Sequence, residues 1–229
     1  MAAGLAIAAA LAVGIVQARG ARPPEPRPGT ARSATARLDR QLRFVAELEK
    51  LKTIRRHIVV VDQSRHENSA EHSWHLATMA VVLAEHAPPG TDLPRSTRMA
   101  LLHDVVEIEA GDTFAFDLEA RKTKPARERA AARRLYGLLP RDQRGEFLAL
   151  WRDFEAGKSP EARFVRALDR IQPVFLHRLT GAGAWKLRGI TRSQLLDHLQ
   201  VVERDTPSLW PIVNEAVRKA VLAGELQDR

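Results

Sequence analysis

The chain has 229 residues, carries eight more Lys and Arg than Asp and Glu, and contains no cysteine. That length suits one sizeable core, and the lack of cysteine excludes disulfides, thiolate metal sites and thiol nucleophiles, so any metal must be held by His and carboxylates. The charge is uneven: residues 1–37 hold five Arg against the single acid Glu25, whereas residues 38–229 hold 31 basic against 27 acidic side chains. The near balance of the longer part excludes a nucleic-acid footprint, and no nucleic-acid partner is expected.

Met1 to Ala18 carries no charged side chain. Its apolar run from Leu5 to Val16 has signal-peptide length and is too short to favour a membrane span. Three readings stay open: a signal or anchor ending near Val16-Gln17-Ala18, an organelle transit segment, or a start codon placed too early, with the folded protein beginning near Leu38. Ala21 to Arg37, rich in Pro and Arg, reads as disordered linker. The expected organisation is an extension over 1–37 and one domain over 38–229, cytoplasmic and without a stable membrane partner.

After Leu38, apolar residues recur at helical spacing and no run alternates with period two for long, which predicts an all-α fold. Helices are expected over Leu38 to Leu51, Ala70 to about Glu85 with Ser69 as N-cap, and Ser96 to Glu109. Lys52 to Ser69 reads as an irregular connection around the short apolar run Ile58 to Val61. Further helices follow over Ala126 to Leu138 and Asp142 to Phe154. A long one opens on Ser159-Pro160-Glu161 and runs to about Thr180, and the last two cover Arg192 to Arg204 and Pro207 to Leu222. The basic run Arg121 to Arg134 reads as a solvated helix face.

On a helical wheel of about 100° per residue, His103, Asp104 and Glu107 share one arc of about 100° beside an apolar stripe. Imidazole and carboxylate are ligands that divalent cations accept, although a solvated polar face would look the same. Asp169 lies on one stripe with Val165, Gln172 and Leu176. A carboxylate buried there needs a cation, either a metal or an Arg such as Arg163 or Arg166. His72 shares a core-facing line with Leu76, Met79 and Leu83 and reads either as a hydrogen-bonded core histidine or as a ligand; His75 competes with it by spacing.

Four blocks in order, Glu67-Asn68-Ser69-Ala70-Glu71-His72-Ser73, Leu102-His103-Asp104-Val105-Val106-Glu107, Gly111-Asp112-Thr113 and Val165-Arg166-Ala167-Leu168-Asp169, resemble the signature of the HD-domain phosphohydrolases. Within them the chain is most similar to the YfbR-like 5′-deoxynucleotidases, over about Leu38 to Val217. The resemblance implies a single compact helical HD-domain fold with about seven helices. It implies one divalent metal cation (Mn, Co, Mg, Fe or Zn) on His72, His103, Asp104 and Asp169, with Glu107 as the catalytic carboxylate. Arg56 would contact the substrate phosphate, with Arg55 beside it as the alternative, and Asp112 would line the nucleotide site. The implied enzyme hydrolyses (deoxy)nucleoside 5′-monophosphates, a small-molecule nucleotide substrate, to nucleoside and phosphate, and is a homodimer. His57 departs from the pattern, standing where the bacterial deoxynucleotidases have a Trp that crowds the sugar. Two alternatives are an HD phosphohydrolase of cyclic nucleotides or nucleoside triphosphates, and a non-catalytic nucleotide-binding or scaffold module.

Overall fold

The computed structural model describes residues 28–181 and 184–228, so the apolar run Leu5 to Val16 lies outside the described residues. Helix α1 (Pro28–Leu48) begins at Pro28 rather than near Leu38, inside the segment expected to be linker. The helix is tied to the rest of the fold from Arg37 onward. Arg37 donates twice to Asp142, both at 2.8 Å, and Arg40 donates to the carbonyls of Gly137, Leu138 and Leu139. Carbonyls at a helix end lack intrahelical partners, and a cation there also meets the negative end of the helix dipole.

A 3-10 turn, Glu49–Thr53, leads into the main departure from an all-helical chain. Strands β1 (Arg55–Val59) and β2 (His66–Asn68) pair antiparallel, with Arg55 opposite Asn68, Val59 opposite His66 and a bulge between. The expected irregular connection is thus a hairpin. Ile58 to Val61 are all β-branched, which favours strand over helix, and Gln63 takes a positive φ of 57° in the turn. Asn68, rather than Ser69, caps α2 (Ser69–Val82): it accepts from the Glu71 backbone while Glu71 reaches back to it.

The expected third helix is two pieces. Helix α3 (Leu93–Leu102), capped by Asp92, ends just before His103, and α4 (Glu107–Ala110) is one turn closed by Gly111 at φ 73°. Helix α5 (Leu118–Gly137) starts at the Asp117 cap and runs through Pro125, earlier than expected from Ala126. Helix α6 (Arg141–Ala156) and the long α7 (Pro160–Thr180) match expectation, α7 with Ser159 accepting from the Ala162 backbone at 3.1 Å. A short α8 (Ala184–Leu187), then α9 (Arg192–Asp205) and α10 (Trp210–Leu222) complete the fold. Helix α10 is opened by Pro211, not by Thr206-Pro207, because the Thr206 hydroxyl is spent on the Val202 carbonyl at 3.0 Å. Among the described residues there are eight helices of ten residues or more, as many as the periodicity predicts and close to the about seven that the resemblance implies.

Two apolar clusters form the core. One surrounds α7, with Leu76, Met99, Leu168, Ile171, Leu199 and Val213. The other joins α1, α5 and α6 through Phe44, Val105, Leu135, Tyr136 and Trp151. Each fully buried Leu or Ile contributes about 1.5–3 kcal/mol. Leu102 packs against both clusters, and the Tyr136 hydroxyl donates to its carbonyl at 2.8 Å. The chain leaves α3 at that junction, and His103 follows immediately.

Candidate metal centre

Helix α2, the end of α3 and the middle of α7 bring four expected residues together. One ligand atom each of His72, His103 and Asp104 lie within 4.8 Å of one another. His72 Nε2 is 3.1 Å from Asp169 Oδ1 and 3.7 Å from Asp104 Oδ2, and His103 Nε2 is 3.1 Å from Asp104 Oδ1. His103 Nδ1 sits 2.8 Å from the Ala100 carbonyl. Only a protonated nitrogen can donate there, so in the neutral ring Nε2 turns its lone pair towards the cluster; burial would lower the ring's affinity for a second proton, but Asp104 outweighs it and raises that affinity, marking Nε2 as a place for positive charge. A lone pair facing a carboxylate repels it, and Nε2 is buried without a hydrogen-bond partner. A cation between the two removes the conflict. Burial, and then the nearby Arg56, push His72 down and keep it neutral, the form that ligates. Two imidazoles and two carboxylates fit one borderline divalent ion.

Between Leu102 and Ile108 the backbone closes over three residues: Val105 N–H donates to Leu102, Glu107 to Asp104 and Ile108 to Val105. Side chains three apart eclipse in such a turn, which sets Glu107 above Asp104 more closely than a regular helical wheel does. Ser69 Oγ donates to Glu107 Oε2 at 2.6 Å. Burial first, then the charges of Asp104 and Asp112, push the Glu107 carboxyl well above its usual range. Asp169 is held well below its own: burial would raise it, but Arg170, at 2.7 Å, and His72 outweigh that. Its cationic neighbour is therefore Arg170, not Arg163 or Arg166, and Arg166 donates instead to the Phe154 and Glu155 carbonyls.

Strand alternation separates the two arginines. Arg55 is exposed, while Arg56 points inward, with Nη1 3.1 Å from Asp104 Oδ2 and 3.9 Å from Asp112 Oδ1 and Nε 3.4 Å from Glu67 Oε2. Burial pushes Glu67 up to about 7, opposed by Arg56 and by Gln172, which donates to it at 2.7 Å. His75 lies outside the cluster, 3.4 Å from Gln172.

Arg56, His103, Asp104, Glu107, Asp112 and Asp169 form the polar wall of a cavity of about 320 Å³. A second part of the lining is aromatic: His57, Phe114, Phe116 and His198 touch in series, with ring centroids 5.1, 5.5 and 5.2 Å apart. The Arg188 guanidinium lies 4.3 Å from the Phe114 centroid and donates to His57 Nδ1 at 2.7 Å. Sequence reasoning missed Ser69, Glu67, Gln172 and Arg170. The first two stand inside the motif block that contains His72, so proximity to that block was the available signal.

An HD domain family model matches residues 48–210. The human 5′-deoxynucleotidase HDDC2 is 32% identical over 133 residues, 58% of this chain and 63% of that protein, and its bovine counterpart is 34% identical over 134 residues, 58% and 62%. The chain thus spans somewhat under two thirds of the length of these relatives. A crystal structure of a "predicted metal-dependent phosphohydrolase" from Magnetospirillum magnetotacticum is 47% identical with a TM-score of 0.79, covering 84% of this chain and 99% of that one. A conserved hypothetical protein from Pyrococcus furiosus, 22% identical with a TM-score of 0.58 over 77% of this chain and 99% of its own, shares the fold. No helix among the described residues is long and apolar enough to cross a membrane. The matched stretch runs from the end of the first helix to the start of the last and takes in the whole lining of the cavity; the chain belongs to the HD domain family.

Proposed function

We propose that this chain is a metal-dependent phosphomonoesterase that hydrolyses (deoxy)nucleoside 5′-monophosphates to nucleoside and inorganic phosphate. His72, His103, Asp104 and Asp169 would hold one divalent cation, Glu107 would be the catalytic carboxylate, and Arg56 and Asp112 would meet the substrate. The observation that carries this reading is the unpartnered buried nitrogen of His103 sharing one cavity with the buried Glu107 and with Arg56. The reaction class is supported by the relatives named 5′-deoxynucleotidase and metal-dependent phosphohydrolase. A cavity of about 320 Å³ is within the range of small-molecule sites.

When bound, a divalent cation supplies Lewis-acid stabilisation of phosphoryl charge and acidifies water. Glu107 accepts a proton from the attacking water as the new O–P bond forms and the bond from phosphorus to the 5′ oxygen breaks. The departing oxygen takes a proton from solvent and leaves as the nucleoside hydroxyl. The raised proton affinity of Glu107 suits it to this task better than an ordinary carboxylate, which is a weak base. Ser69 fixes its orientation. Arg56 presents a planar fork to the terminal phosphate dianion, and Asp104 and Asp112 hold it ready beforehand.

Purified protein supplied with Mn2+ or Co2+ is expected to release phosphate from a panel of deoxynucleoside and ribonucleoside 5′-monophosphates. Turnover confined to cyclic nucleotides or nucleoside triphosphates would overturn the substrate class. Nucleotide binding without metal and without turnover would overturn the enzyme reading altogether.

A further inference from the structure

Helix α5 is strongly basic, and its charges mostly do what a solvated face does. Lys122 pairs with Glu119 across exposed side chains, 68% and 81% accessible. Lys124 breaks the pattern. Its ammonium lies 2.6 Å from Glu128 Oε1, its own side chain is 34% accessible and that of Glu128 only 3%. Both residues line the cavity that holds Asp104, Glu107 and Arg56. The second oxygen of Glu128 is buried with no hydrogen-bond partner.

Taking a Lys–Glu pair out of water costs desolvation that an apolar pair would avoid, so its presence beside a charged site calls for a use. Burial would strip the Lys124 proton, but the charge and hydrogen bond of Glu128, with Glu155 and Asp104 beyond, carry the group above its usual range, so it stays an ammonium. An ammonium has three N–H donors, and the bond to Glu128 uses one. An ammonium at the edge of a cavity with donors to spare suits a tetrahedral oxyanion, which a point cation can bind from any side.

We propose that Lys124 is a further phosphate-binding residue of this cavity, held in position by Glu128, so that the substrate's phosphoryl group meets a second protein cation besides Arg56. This rests on the phosphomonoesterase reading. Glu128 is a positioning residue that acts through Lys124.

The test uses the Mn2+-loaded full chain and inorganic phosphate as the probe. Replacing both partners, Lys124→Met with Glu128→Gln, avoids stranding a buried charge. In that variant phosphate inhibition is expected to weaken by about tenfold or more, with KM rising alongside it, the metal content unchanged and Lys124→Arg recovering part of the loss. A folded double variant inhibited by phosphate to within about twofold of the parent overturns the role of Lys124 alone. A parent chain that neither releases nor binds phosphate overturns the phosphomonoesterase reading, and this inference with it. If the variants do not fold, acetic anhydride labelling of the parent decides. Phosphate is expected to protect Lys124 but not Lys122, and equal labelling of Lys124 with and without phosphate overturns the proposal.

Discussion

The two walls of the cavity are built on different physics. On the polar wall and just behind it, several groups are tied to partners from distant parts of the chain: Glu107 to Ser69, Glu67 to Gln172, Arg56 to Asp104 and His72 to Asp169. On the aromatic wall, His57, Phe114, Phe116 and His198 meet through tilted rings, and the exposed Arg188 lies over Phe114. Removing one member of a buried polar pair strands its partner at a cost of several kcal/mol, whereas trimming a ring loses contact area and about 0.5–1.5 kcal/mol of ring pairing. The polar wall therefore cannot be changed piecemeal, and the aromatic wall can. On the proposed function, chemistry would belong to the first and substrate preference to the second.

This contrast can be broken in graded steps. Asp104→Ala touches the most partners and should lose bound metal and lower kcat/KM by about a thousandfold or more; metal analysis showing parental content would remove the polar wall as a metal centre. Glu107→Gln keeps the shape and the Ser69 contact, so metal content should hold while kcat falls by about 10²–10⁴. A loss seen mainly in KM would instead make Glu107 a binding group. Phe114→Ala should raise KM a few-fold, equivalent to about 1 kcal/mol, and leave kcat and metal alone; a large fall in kcat would show that the walls are not separable.

The smallest effect at neutral pH is expected from His198→Phe. Burial, and then Arg170, pull the His198 imidazole down to about 3, from an ordinary 6.5. The unfolded chain thus takes up this proton more readily than the folded one, so the stability that His198 contributes is complete above pH 6.5 and is lost as pH falls from there. The variant's thermal midpoint should match the parent at pH 7 and fall less steeply on acidification. Identical acid limbs for the two proteins would refute this.

Legibility in the sequence follows how local the cause is. Helix α7 is readable from end to end because its signals, Ser159, Pro160, Glu161 and Gly181, lie at its own termini. The hairpin is not, because pairing Arg55 with Asn68 is a long-range event that a short run of β-branched residues only hints at. The start of α5 hides behind Pro125, which as a helix breaker argues for a later beginning. At the site, the ordered motif blocks name His72, His103, Asp104 and Asp169. Choosing Arg56 over Arg55 needs the strand, however, and linking Ser69 to Glu107 needs contact across 38 residues. Lys124 and Glu128 have the spacing of any surface ion pair, and only the cavity sets them apart from Lys122 and Glu119.

The tightened turn after α3 works like a gear with teeth three residues apart. Adding or removing a single residue between Asp104 and Glu107 would rotate Glu107 by about 120° and drive it towards the core that buries Val105 and Val106. Apolar side chains can be exchanged at those two positions, yet the gap of two cannot change. In this chain the length of that gap constrains the centre more strictly than the identity of the two residues that fill it.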